Sequence, residues 1–200
     1  MKSDSIAFGI AGIAFGLIAG WIIGTQQAPS RQPPAQAATS AAPAPQANTR
    51  AAVLDETKIT ALKSVAEREP SNAKPRIDLG NLYFDAERYD DAITWYEAAV
   101  KLAPRDVNLN TDLGVCYYYT NQPDKALAQF DKSLAIDPKH AKTLLNLGIV
   151  RAFGKQDLAG ATKAWEQVMA IDPNSPEGQA AKRALDTLRS AHGGDAKPGA

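Results

Sequence analysis

One pattern returns three times between residues 73 and 175, and no other feature of the chain constrains its fold as strongly. The first copy reads LGNLYFDAERYDDAITWYEAAVKLAP (Leu79 to Pro104). The second reads LGVCYYYTNQPDKALAQFDKSLAIDP (Leu113 to Pro138), and the third LGIVRAFGKQDLAGATKAWEQVMAIDP (Leu147 to Pro173), one residue longer. Gly80, Gly114 and Gly148 are 34 residues apart; Ala92 and Ala126 keep that interval, and Ala161 follows 35 later. A fixed period of this length means stacked supersecondary units, none of which buries its apolar face alone.

The repeated residues make physical sense as pairs of antiparallel helices. Gly and Ala in mid-helix cost stability unless close approach needs the room, and Gly80 and Ala92 fall where two such helices cross. The aromatic four residues after each alanine (Tyr96, Phe130, Trp165) shares its helical face and can fill the space beside the crossing. Pro104, Pro138 and Pro173 cannot continue a helix and disfavour helical geometry in the residue before them, so each unit ends there.

These residues resemble the tetratricopeptide repeat (TPR) family, a 34-residue helix–turn–helix unit with Leu-Gly-x-x-Tyr in its first helix, Ala-x-x-x-Phe in its second and a closing proline. Leu79-Gly80/Tyr83, Leu113-Gly114/Tyr117 and Leu147-Gly148/Arg151 fill the first helix. Ala92/Tyr96/Ala99, Ala126/Phe130/Ser133 and Ala161/Trp165/Val168 fill the second. The chain departs from the pattern at Arg76, where the family often has Trp, at Arg151 in place of Tyr, and in the inserted residue, which spacing puts near Leu158-Ala159. The resemblance implies an all-α fold: a right-handed α-solenoid of three TPR helix pairs (73–106, 107–140 and 141–175) with flanking capping helices, beside one N-terminal transmembrane helix.

That N-terminal segment, within 1–24, contains IAFGIAGIAFGLIAGWII (6–23), 18 uncharged and mostly apolar residues. As a helix they span about 27 Å, close to the hydrocarbon thickness of a bilayer. A cleaved signal peptide competes with this reading, but its apolar run is shorter and a small-x-small site follows quickly. The residues after Ile23 offer no such site, which favours an uncleaved signal anchor. Gly12, Gly16, Gly20 and Gly24 recur every four residues, a ridge suited to helix association with a second copy or another membrane protein. Lys2 precedes the segment and no basic residue follows before Arg31, which favours a cytoplasmic N-terminus and an exported repeat domain.

Residues 25–52 are rich in Ala, Pro, Gln, Ser and Thr and read as a disordered linker. Fully extended they reach about 90 Å, and as a flexible coil on the order of 30 Å. Residues 53–72 carry apolar side chains at 59, 62 and 65–66 and end at Pro70, 34 before Pro104, as the second helix of a leading half-repeat. Residues 176–192 set Ala180, Ala181, Ala184, Leu185 and Leu188 against Lys182, Arg183, Asp186 and Arg189, as a C-terminal capping helix does. The tail 193–200 reads as disordered.

Little in the residues suggests chemistry. His140 and His192 lie out of register with the lone Cys116, which reads as a partly buried structural thiol. Asp90-Asp91 precede a helix, where negative charge suits the dipole and a side chain can cap. No phosphate-binding loop or Cys/His metal cluster is present, and neither a cofactor nor a metal is implied. Removing Lys2, Arg31 and Asp4 with residues 1–49 leaves 20 basic and 21 acidic side chains, with none of the concentrated basic surface that a nucleic acid needs. The chain reads as a non-enzyme.

Function then belongs to a binding surface. In the TPR family ligands lie in the concave groove, and the resemblance implies groove positions at Lys74, Ile77, Asn81, Phe84 and Asp85 in repeat one. Repeat two contributes Asn108, Thr111, Val115, Tyr118 and Tyr119; repeat three contributes Lys142, Leu145, Ile149, Ala152 and Phe153. Such an apolar, aromatic surface suits an amphipathic helix or extended peptide. Family members that clamp a C-terminal carboxylate use Lys and Asn, then Asn, then Lys and Arg. The matching residues here are Ile77, Asn81, Asp112, Lys142 and Asn146, which keep two of the five. The whole arrangement is similar to bacterial membrane-anchored TPR proteins, including TPR subunits of the cytochrome c maturation machinery. That similarity implies an inner-membrane protein whose periplasmic domain holds a protein or peptide client during assembly. The alternative is a cytosol-facing receptor for proteins targeted to a membrane.

Overall fold

The computed structural model describes residues 54–193. The expected anchor with its glycine ridge, the linker and the tail from 194 onward lie outside the described residues. Eight α-helices follow one another, and no strand occurs among the described residues. They are α1 (Glu56–Arg68), α2 (Lys74–Asp85), α3 (Tyr89–Leu102), α4 (Val107–Tyr119), α5 (Pro123–Ile136), α6 (Ala141–Ile149), α7 (Leu158–Ile171) and α8 (Pro176–Gly193). A π-helical turn, Val150–Gly154, extends α6. The pairs α2/α3, α4/α5 and α6/α7 are the three repeats, α1 is the leading half-repeat, and α8 packs on α6 and α7.

Local signals set the boundaries. Asp55, Asp106 and Asp157 cap α1, α4 and α7 by accepting a backbone N–H from Lys58, Leu109 and Gly160. Asp90 and Asp91 differ from expectation. The helix begins at Tyr89, so both sit in its first turn, and Asp91 pairs with Arg88 instead of capping. The second helices stop at Leu102, Ile136 and Ile171, each two residues before its proline.

Each glycine faces the aromatic ring of its partner helix: Gly80 lies on Tyr96, Gly114 on Phe130 and Gly148 on Trp165. A side chain at any of them would meet that ring, so the missing Cβ sets how closely the helices cross. Two of the rings also carry a polar handle. The Tyr96 hydroxyl donates to Asn81 Oδ1 (2.6 Å), and Trp165 Nε1 donates to the Leu145 carbonyl (3.1 Å). Arg76, standing where the family often has Trp, has its own structural part. Its guanidinium donates to the carbonyls of Ala66 (3.0 Å) and Asn72 (2.8 Å), tying the C-terminal end of α1 to the first repeat.

The turn inside each repeat is built alike. Glu87, Asn121 and Gln156 take φ of 59°, 59° and 56°. Arg88 N–H then reaches back to Tyr83 O, and Gln122 N–H to Tyr117 O, both 2.8 Å. In the third repeat Asp157 N–H reaches Arg151 O, one residue further, and Lys155 N–H bonds Val150 O across the π turn. The inserted residue is therefore accommodated between Arg151 and Asp157, ahead of Leu158-Ala159 where spacing had put it. A π turn takes up an extra residue without breaking the helix.

Candidate functional site

The groove candidates separate into three groups. The fifth position of each first helix packs inward. Ile77 lies against the core, and Thr111 and Leu145 are buried. Thr111 corrects the expectation most clearly. Its hydroxyl bonds the Val107 carbonyl (2.8 Å), Thr143 Oγ1 (2.6 Å) and Ser133 Oγ (3.1 Å), and none of it reaches solvent. Ile149 and Ala152 are likewise buried, and Val115 is partly buried against the core. These positions face a neighbouring helix, where apolar packing and satisfied hydroxyls are favoured.

A second group is polar. Asn81 and Asp85 are exposed on α2 and Asn108 on α4. Asn81 is held by Tyr96. Lys74 pairs with Asp78 (3.0 Å), one helical turn on. Lys142 Nζ lies 2.7 Å from Asp112 Oδ1, both side chains about a quarter exposed (28% and 25%). Burial pushes the Asp112 carboxyl up, and the Lys142 ammonium pulls it back towards ionisation. Burial also raises Asp85, where Lys58 acts against it and Asp112 adds to it. Asn146 is buried, with its amide donating to Lys142 O.

The third group is aromatic and comes together at the turn edge. Tyr119, at the end of α4, stacks on Tyr89, at the start of α3, with centroids 4.4 Å apart and planes within 12°. Phe84 meets Tyr89 edge-on at 5.6 Å, and Tyr118 lies 6.0 Å from Tyr119. All four rings are half-buried. Burial, and after it the neighbouring Tyr119 and the Glu87 carboxylate, raise the Tyr89 hydroxyl pKa. Tyr89 escapes a reading confined to the first helices. The available signal was that the first residue of every second helix (Tyr89, Pro123, Leu158) is apolar. Phe153 stands at the other end of the array and is 36% exposed.

Beside the tyrosine stack is an open depression of roughly 410 Å³ lined by Glu87, Arg88, Tyr89, Asp90, Asp91, Tyr119 and Thr120. Cys116 and His140 are tied up. Cys116 is fully buried, and burial, with Asp112 adding, pushes its thiol pKa up and away from the reactive thiolate. His140 Nδ1 is bonded to Thr143 Oγ1 (2.6 Å). Among the described residues no group of three or more His, Cys, Asp or Glu is placed to hold a metal ion.

Stacked helix pairs of one period, closed by a leading and a trailing helix, define an α-helical repeat array. A tetratricopeptide repeat model matches residues 71–139, and a second matches 111–176. Together they span more than half of the 200 residues, and the chain belongs to the tetratricopeptide repeat family. No curated protein matches it. Solved structures do. The crystal structure of MamA has a TM-score of 0.56 at 20% identity, over 67% of this chain and 88% of that one. The first TPR of Spaghetti (RPAP3), bound to the HSP90 peptide SRMEEVD, has 0.55 at 26%, over 60% and 95%. The Yersinia enterocolitica type III secretion chaperone SycD, in complex with a peptide of the translocator YopD, has 0.53 at 19%, over 59% and 89%.

Proposed function

We propose that this chain is a non-enzymatic scaffold that holds a segment of a client protein on the surface formed by Phe84, Tyr89, Tyr118 and Tyr119. The observation that carries this is the aromatic cluster itself. Four half-buried rings gathered at the edge of one seam offer large, rigid contact area at low entropic cost. Two structurally similar arrays, those of RPAP3 and SycD, are solved with peptides bound, which supports a peptide client here. A C-terminal carboxylate does not suit the clamp positions of this chain. Ile77 replaces a lysine, and Asp112 already neutralises Lys142. An internal segment fits better.

The order of segments in the sequence supports a finer reading. An apolar run, an Ala/Pro-rich stretch and then the repeats suit a scaffold tethered to a bacterial inner membrane, with its repeats in the periplasm. Holding a client during envelope assembly, such as cytochrome c maturation, is the role proposed for it. No helix among the described residues is long and apolar enough to cross a membrane, and the run at 6–23 lies outside them. Photo-crosslinking in cells from position 119 tests the scaffold reading. Adducts to maturation factors or their clients support it, and adducts only to further copies of this chain overturn it. Adducts to precursors awaiting targeting favour the cytosol-facing receptor.

A further inference from the structure

The depression beside the tyrosine stack differs from its counterpart in the next seam in charge. Its lining holds three carboxylates, Glu87, Asp90 and Asp91, against one guanidinium. That guanidinium is occupied: Arg88 Nε donates to Asp91 Oδ2 (2.7 Å), and Arg88 lies over the Tyr83 ring at 5.6 Å. Neither Glu87 nor Asp90 forms an ion pair with any described residue. One period later the charged groups are engaged. Asp124 is paired with Lys155 (2.7 Å), and Lys125 lies over the Tyr117 ring at 5.2 Å. Gly154 packs there against Pro123 and Tyr118.

We propose that this depression, at the seam of the first two repeats, receives a basic side chain, arginine or lysine, from the client segment. The proposal rests on the client-binding reading above and adds the chemistry of the client. A guanidinium is planar, forks onto carboxylate oxygens and stacks on tyrosine faces, and here two free carboxylates and a stacked tyrosine pair line one opening. An acidic segment would meet Glu87 and Asp90 and be repelled. With the basic group anchored, apolar side chains next to it reach Phe84 and Tyr118 along the same edge. The client is therefore a segment mixing basic and aromatic or aliphatic residues.

The test uses the full chain, the Glu87→Gln/Asp90→Asn variant and Tyr119→Ala. Each is titrated against fluorescein-labelled Ala/Leu peptides of equal length carrying arginine, glutamate or glutamine. The arginine peptide binds tightest, weakens with added salt, and loses about tenfold in affinity for the Glu87→Gln/Asp90→Asn variant, while the glutamine peptide is unaffected by that change. An arginine peptide indifferent to the double substitution overturns the assignment. If Tyr119→Ala then weakens all three peptides equally, the aromatic client surface survives and only the basic selectivity is lost. Absence of binding by every peptide overturns both.

Discussion

Gly114→Ala tests whether close helix crossing is what the repeated glycine is for. The new methyl carbon would lie 2.5 Å and 2.8 Å from Phe130 Cε1 and Cδ1, and 3.2 Å from the Ala126 carbonyl oxygen. Phe130 is fully buried, so its ring cannot swing into solvent, and the backbone oxygen behind it gives no room. Either the ring or the helix must move by about 1 Å to restore ordinary contact. Overpacking of this kind costs about 1–3 kcal/mol, and alanine's better helix propensity returns about 1 kcal/mol. The net loss is about 0–2 kcal/mol, a fall in Tm of up to about 8 °C for a domain of this size. Thermal melts followed by circular dichroism read it directly. The decisive comparison repeats the substitution in Phe130→Leu, where most of the ring is gone. There Gly114→Ala should cost much less than it does alone, a coupling that only neighbouring sites show. Equal cost in both backgrounds, or a gain matching the propensity increment, would refute the steric account.

Two further predictions concern the seam between the second and third repeats. Thr111→Val removes one hydrogen-bond partner each from Thr143 and Ser133, which keep His140 Nδ1 and the Val107 carbonyl, and should lower stability by about 1 kcal/mol, read as a lower urea midpoint at unchanged m-value. An unchanged midpoint would remove the hydroxyl network from the stability of that seam. His140 is held below its ordinary pKa of 6.5 by burial, with Asp137 opposing, Lys142 pushing the same way, and Asp112 and Glu177 also opposing. The unfolded chain then takes up its proton at higher pH than the folded one. Stability present above pH 6.5 is lost as pH falls through the folded pKa. His140→Asn should flatten that decline in urea titrations across the window, and an unaltered slope would exclude His140 as its source.

Much of the fold was legible because the period reports backbone geometry directly. Gly80 with Tyr96, Gly114 with Phe130 and Gly148 with Trp165 are pairs that helical spacing alone predicts, and the structure brings each together. The surface was legible only in part, because register names a helical face and not what covers it. Thr111, Leu145 and Ile149 share a face with Asn81 and Tyr119 by spacing, yet they are buried by neighbouring helices. Tyr89 was missed for a complementary reason. It belongs to a second helix, and only the turn at Glu87 brings it onto Tyr119. The placement of the inserted residue also depends on backbone hydrogen bonding, which residue counting does not reveal.

The hydroxyl network has a consequence for how the array is assembled. Shifting Thr111, Ser133 and Thr143 back by one period gives Ile77, Ala99 and Leu109, so the corresponding contact between the first two repeats is hydrocarbon throughout. The two joints are therefore keyed differently, although the helices that form them look interchangeable. Exchanging the order of the repeats, or pairing the second repeat of one copy with the wrong neighbour in another, would press the Thr111 hydroxyl against hydrocarbon and break its bond to Thr143 (2.6 Å), at about 1 kcal/mol, while the Val107 carbonyl still holds Thr111 and Ser133. Like a polar residue placed at a single layer of a coiled coil, the network selects one arrangement among several of similar apolar content. The chain thereby carries an internal check on the sequence in which its own modules are stacked.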